Sequence, residues 1–111
     1  MTRLIVAEIH GVAARLGELR ALLAALAAGS REEPGCLSFR VLAADEPAEI
    51  VLLSHWRDEA ALRAHYATPH YRRYREAVGP LLARPSDVVV HHVGETLRAL
   101  DPNPPDPVEF D

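Results

Sequence analysis

Hydrophobic residues recur along this chain with two different spacings, which predict separate helices and strands. Leucines at helical spacing form one stripe in the first long segment, whereas the run Ile50-Val51-Leu52-Leu53 is typical of a buried strand. Glu33-Pro34-Gly35 and Asp45-Glu46-Pro47 are turn signals. The pattern predicts strands at 3–10, 36–43, 49–56 and 87–95, and helices at 14–29, 58–67 and 69–83.

The predicted order is β-α-β-β-α-β, with the second helical segment broken at Pro69, and it is typical of a ferredoxin-like α+β fold. Such a fold covers one face of its sheet with helices and leaves the other face open. The third strand is apolar on both sides, because Ile50 and Leu52 alternate with Val51 and Leu53. Since an open apolar face favours association, we expect a homodimer.

The chain is expected to form one domain, residues 1–97, followed by a proline-rich acidic tail, residues 98–111. The prolines of the tail exclude helix and central strand there. In the domain, the second strand is expected to place Leu37, Phe39 and Val41 on one face. The first 100 residues carry as many arginines as acidic residues, and this balance does not favour nucleic acid binding.

Location is predicted from three features of the sequence. No apolar run approaches the length needed to span a membrane, and the N-terminus lacks the apolar region of a signal peptide. Cys36 is the only cysteine, so an intrachain disulfide is impossible. We therefore expect a cytoplasmic protein.

The candidate site residues are concentrated at the junction where the third predicted strand ends and two helices begin. Trp56 ends that strand, and its indole is either a core anchor or part of a site. Leu62, His65 and Tyr66 share one helical face, so His65 is expected to face the sheet and to act as a base near pH 7. The alternative interpretation is that His65 only caps the end of its helix or extends from there to solvent. His70 follows Pro69 in the first turn of the next helix, where it either serves the site or holds the junction.

Three further residues are candidates for contact with a bound ligand. Tyr66 and Tyr74 are candidate ligand contacts, with packing as the alternative interpretation. Ser54 lies on the same strand face as Trp56 and is a third candidate ligand contact. The cluster Arg72-Arg73-Arg75 is interpreted as a solvated helix face.

Cofactors are not predicted. His65 and His70 are five residues apart across a helix break, which is not the spacing of a helical zinc pair, so no metal site is expected. No glycine-rich stretch could cradle the phosphates of a flavin or nicotinamide. Cys36 is more typical of a small core residue than of a nucleophile.

The junction carries a motif of Trp56, Asp58-Glu59, Ala64-His65 and Thr68-Pro69-His70-Tyr71, with supporting stretches Val6-Ala7-Glu8-Ile9 and Glu32-Glu33-Pro34-Gly35-Cys36. This pattern resembles the antibiotic biosynthesis monooxygenase family, in particular its small quinol-oxidising members. The resemblance implies a dimeric α+β barrel and a cofactor-independent monooxygenase or quinol oxidase that acts on a small aromatic phenol or quinol with molecular oxygen. It implies that His65 deprotonates the substrate and that Trp56 forms the pocket wall beside the substrate's aromatic ring. It also implies that His70 or a tyrosine binds an oxygen substituent of the substrate.

Two alternatives to an oxygenase remain open: a small-molecule isomerase of the same fold, as in another branch of the family, and a non-catalytic ligand-binding dimer. Relatives usually carry an acidic residue where this chain has Ser54, and this departure either changes the polarity of the substrate or moves the proton-acceptor role to a histidine. Relatives that degrade haem ligate it from the helix after the break. The stretch 71–75 of this chain has no histidine, so haem is not expected.

Overall fold

The computed structural model describes residues 1–44 and 48–96, and it confirms the predicted ferredoxin-like order. Two short 3-10 turns, Ala13–Arg15 and Gly79–Leu81, flank the helical segments. The described helices and strands are β1 (Thr2–His10), α1 (Leu16–Arg31), β2 (Cys36–Ala43), β3 (Glu49–Trp56), α2 (Glu59–Tyr66), α3 (Pro69–Ala77) and β4 (Asp87–Val93).

The four strands form one antiparallel sheet in the order β2-β3-β1-β4. In the pairing of β1 with β3, Ile5 lies opposite Ser54 and Ile9 lies opposite Ile50, so these four residues share one face of the sheet. That face carries the core, whose most deeply buried side chains include Trp56 and the α1 leucines Leu19 and Leu23. Burial of this apolar surface is the main force that holds the helices on the sheet.

Both predicted helix starts after β3 are confirmed by side-chain caps. The carboxylate of Asp58 accepts a hydrogen bond from the Ala61 amide at 2.8 Å, and the Thr68 hydroxyl accepts one from the Tyr71 amide at 3.3 Å. Pro69 occupies the first turn of α3, where its missing N–H costs nothing. These two caps fix where α2 and α3 begin, and therefore where His65 and His70 lie.

One helix boundary and one strand face differ most clearly from the prediction. The helix predicted to run to residue 83 ends at Ala77, because Gly79-Pro80 follows and proline cannot continue the hydrogen-bond ladder. Leu37 does not share a buried face with Phe39, because a bulge between Cys36 and Ser38 shifts the register and leaves Leu37 half exposed. The hairpin at 45–47 and the domain boundary at 97/98 lie outside the described residues.

The second sheet face carries apolar side chains without a covering layer in the described chain. Val6, Val51 and Leu53 are half-buried there, and Leu42 and Val89 are exposed. None of the described helices is both long and apolar enough to cross a bilayer.

Candidate functional site

A cavity of about 420 Å³ lies between the sheet and the helices α2 and α3. Its floor is mostly apolar and comes from β1 and β3, whereas its roof brings aromatic and polar side chains from the helices. Mostly apolar walls with a few convergent polar groups are typical of small-molecule sites. The roof residues are His65, Tyr66, Tyr71, Tyr74 and Arg75, and Ser54 lies in the floor.

His65 lines this cavity from the last turn of α2 and is only 4% exposed. Its Nδ1 lies 2.7 Å from Oε2 of Glu33, so a neutral ring carries its proton on Nδ1 and donates it to the carboxylate. The other ring nitrogen, Nε2, has no hydrogen bond to a described residue and keeps a free lone pair. The tautomer therefore makes Nε2 the basic atom of the ring.

Burial lowers the pKa of His65 below its ordinary value of 6.5, and the Glu33 carboxylate only partly opposes this shift. The imidazole is therefore neutral at pH 7, which is the form that accepts a proton. A proton that arrives at Nε2 creates an imidazolium whose Nδ1–H already points at a carboxylate, so Glu33 stabilises the product of proton transfer.

Glu33 joins both histidines in one cluster. The same oxygen, Oε2, lies 2.8 Å from Nε2 of His70, so one carboxylate accepts from both rings. Glu33 is 12% exposed at its side chain and follows the end of α1. The absence of a side chain at Gly29 of α1 leaves room for the His70 ring, because a methyl group there would lie 2.6 Å from Cγ of His70.

Trp56 packs against the His65 ring and does not itself line the cavity. Its ring is fully buried and lies 4.3 Å, centroid to centroid, from the His65 ring at an angle of 36°. The indole N–H donates to Oγ of Ser54 at 3.1 Å. The structure thus differs from the expectation that Trp56 lines the pocket beside the ring of a bound ligand. His65 and Ser54, which contact Trp56, line the cavity instead.

The tyrosines enter the cavity as protonated phenols. Burial raises the pKa of Tyr74 to about 12 and also raises the pKa of Tyr66, which is 42% exposed. Both side chains therefore remain hydrogen-bond donors at neutral pH. Tyr71, which the sequence interprets as a packing residue, contacts the His65 ring at a centroid distance of 5.0 Å.

The three arginines of the cluster 72–75 are exposed, which agrees with a solvated helix face, but Arg75 also has a second role. It lines the 420 Å³ cavity and also an open recess of about 560 Å³ beside it, which Arg72 shares. Neither guanidinium has a described ion pair. Helix periodicity could have found Arg75, because it lies four residues after Tyr71.

Glu33 is the residue that sequence reasoning missed most clearly. The sequence places Glu33 in a turn and in a supporting stretch of the family resemblance, 32 residues before His65, and local spacing does not connect the two residues. The expectation that no ligand set would form rested on that spacing, yet Glu33, His65 and His70 place three potential ligand atoms within 4.8 Å of one another. A second such group in the described residues is Glu8, His10 and Asp87.

Cys36 contributes no reactive thiol. Burial raises the pKa of the thiol, and the nearby Glu33 charge raises it further, so the thiolate is disfavoured. This result agrees with the interpretation of Cys36 as a small structural residue.

The fold and the cavity together define a class of protein. It is a ferredoxin-like α+β domain with a mostly apolar cavity, which is lined by a histidine that is hydrogen-bonded to a carboxylate. The model of the antibiotic biosynthesis monooxygenase family matches residues 2–77. The chain belongs to this family.

Relatives agree with this assignment. Rv0793 of Mycobacterium tuberculosis, which is provisionally named a monooxygenase, is 43% identical over 72 residues, covering 65% of this chain and 71% of that protein. Its solved structure superposes with a TM-score of 0.83 at 33% identity, over 88% of this chain and 100% of the other. PA3566 of Pseudomonas aeruginosa gives a TM-score of 0.77 at 26% identity, over 85% of this chain and 95% of the other.

Proposed function

We propose that this protein is a cofactor-independent monooxygenase or quinol oxidase that acts on a small aromatic phenol or quinol. One observation carries the proposal: His65 lines a mostly apolar cavity as a neutral base whose tautomer Glu33 holds. The family assignment supports oxygen chemistry, and the cavity volume of about 420 Å³ lies in the range of small-ligand sites.

In the proposed reaction, His65 Nε2 takes the phenolic proton and leaves an electron-rich anion in the cavity. The anion passes one electron to O2, and the resulting radical pair recombines before it can separate. Insertion of one oxygen atom releases the other as water, whereas simple oxidation yields a quinone and hydrogen peroxide; in both cases the substrate supplies the electrons. The protein aligns the anion and excludes water.

The polar groups around the cavity would hold the substrate's oxygen substituents. Tyr74 can donate a hydrogen bond because its phenol stays protonated to about pH 12, and the Ser54 hydroxyl lies in the cavity floor. Trp56 would act indirectly, because its ring supports the imidazole of His65. His70 would act through Glu33, whose carboxylate it shares with His65.

An isomerase is the second candidate, and Arg75 is the observation that favours it. A guanidinium at the cavity wall could bind the phosphate of a small phosphorylated substrate, while His65 moves a proton between carbon atoms. Such a reaction would use the same base but no oxygen. A non-catalytic ligand-binding protein would use the same cavity without turnover.

Oxygen uptake with a panel of quinols and phenols tests the proposal. We expect uptake that depends on the protein, and label from ¹⁸O₂ in the product if the reaction is an oxygenation. Turnover of a phosphorylated substrate under argon, lost in Arg75→Gln, would instead support the isomerase. Binding of aromatic ligands without turnover in either atmosphere would leave only a binding function.

We also propose that two copies pair through the open sheet face. Support comes from the half-buried Val51 and Leu53 and the exposed Leu42 and Val89, which a second copy would cover. A cytoplasmic location remains part of the proposal, and the single cysteine of the sequence supports it.

A further inference from the structure

We propose that Glu33, His65 and His70 form a binding site for a divalent transition-metal ion such as zinc, and that the bound ion switches off His65 as a base. Two imidazoles and one carboxylate are a recurrent zinc ligand set. Here they come from three separate segments: the turn after α1, the end of α2 and the start of α3. The switching part rests on the proposed function, whereas the binding part does not.

The ligand atoms are close to the spacing that zinc needs. Tetrahedral bonds of about 2.0–2.1 Å place neighbouring ligand atoms roughly 3.3 Å apart. In the structure, Oε2 of Glu33 lies 2.7 Å from Nδ1 of His65 and 2.8 Å from Nε2 of His70, and all three ligand atoms lie within 4.8 Å of one another. An ion could therefore replace the two hydrogen bonds once the Glu33 oxygen moves away from each ring nitrogen by roughly half an ångström.

The surroundings provide both a firm hold and an entry path. The side chains of His65 and Glu33 are 5% and 12% exposed, so a bound ion would be held in a mostly desolvated site. Glu33 also lines an open recess of about 220 Å³ together with Pro34, Gly35 and Ala64. That recess could admit the ion and supply a water as the fourth ligand.

The metal would change the tautomer of His65. A metal bonds to the lone pair of a deprotonated ring nitrogen, so the proton now on Nδ1 would have to leave that atom. In a neutral ring it then resides on Nε2, which becomes a donor and can no longer accept a proton from a phenol. The His65 ring itself releases no proton, because it keeps one proton and only the position of that proton changes.

The second potential ligand group, Glu8, His10 and Asp87, is a poorer candidate. It offers one imidazole, and its carboxylate residues are exposed. The guanidinium of Arg84 lies 3.4 Å from Nδ1 of His10 and 4.0 Å from the Glu49 carboxylate, so a cation would meet a positive charge nearby. This group therefore serves as the internal control.

Calorimetric titration of metal-free protein with zinc chloride near neutral pH tests the binding. We expect one ion per chain, an affinity at least roughly tenfold lower in Glu33→Gln and in His70→Gln, and an unchanged affinity in His10→Gln, each checked for folding by circular dichroism. Loss of binding in His10→Gln, or full affinity in both Glu33→Gln and His70→Gln, would overturn the site. Cobalt substitution of the unaltered protein needs no variant: tetrahedral visible bands are expected, and an octahedral spectrum would contradict the site.

Nitrogen-15 NMR of the imidazoles tests the switch without any activity assay. We expect the proton of His65 to move from Nδ1 to Nε2 when zinc saturates the protein, and a proton that stays on Nδ1 would refute the switch. If a quinol is turned over, zinc should inhibit it, a chelator should restore it, and the residual turnover of His70→Gln should resist zinc. Failure of the quinol reaction would refute the proposed function but leave the calorimetric and NMR results to decide the metal site.

Discussion

Replacing Gly29 with alanine tests the placement of His70 against α1. The new methyl group would lie 2.6 Å from Cγ, 2.7 Å from Nδ1 and 2.9 Å from Cβ of His70. Because the conflict includes Cβ, rotation of the ring cannot remove all of it. Either α1 and α3 separate or His70 leaves its place, and in both cases the 2.8 Å hydrogen bond from His70 to Glu33 is lost or stretched.

The magnitude follows from two opposing effects. Alanine is favoured over glycine inside a helix by up to about 1 kcal/mol. A hydrogen bond to a charged group contributes roughly 1.5–3 kcal/mol. We therefore expect Gly29→Ala to lower the free energy of unfolding by roughly 0.5–2 kcal/mol, with the strain between the helices added to this loss.

Gly17 provides a matched control in the same helix, because a methyl group there has no neighbour within 4 Å. Urea unfolding should show Gly17→Ala to be neutral or up to about 1 kcal/mol more stable than the parent protein. In a His70→Ala background, Gly29→Ala should lose its penalty, because the obstructing ring is gone. If Gly29→Ala stabilises the parent protein as much as Gly17→Ala does, the His70 ring does not lie against α1.

Three further predictions use the same protein. Trp56→Ala should lower the free energy of unfolding in urea by about 3–5 kcal/mol, because the indole is fully buried; a loss below about 1 kcal/mol would contradict its core position. Stability should fall as the pH drops below 6.5 toward the lower folded pKa of His65, because the unfolded chain then binds a proton that the folded chain does not; His65→Gln should flatten this dependence of the urea midpoint. Leu53→Glu should convert a dimer to monomers by light scattering, and an unchanged mass would place any interface elsewhere.

The fold could be predicted because its signals are local. Asp58 and Thr68 stand directly before the helices that they cap, and the apolar run of β3 identifies a buried strand without any long-range information. The inward position of His65 also followed from helix periodicity. The bulge at Leu37 did not follow, because pairing with β3 shifts register there and no residue in the strand signals it.

The partners of the candidate base could not be predicted, because they depend on tertiary packing. Glu33 meets His65 and His70 only when the end of α1 packs beside the α2–α3 junction. Whether Trp56 lines the cavity or only packs against His65 likewise depends on tertiary packing, because it is decided by which of the two rings faces the cavity. Sequence therefore identified the histidines, and the structure adds the carboxylate that determines their tautomers.

The most direct test of the central claim is the rate of quinol oxidation by His65→Gln, with His92→Gln as the matched control on exposed β4. We expect His65→Gln to lower kcat by about 10²–10⁴, the usual contribution of a positioned general base, and His92→Gln to leave kcat unchanged. Full turnover of the same quinol by folded His65→Gln would contradict the claim that His65 is the base.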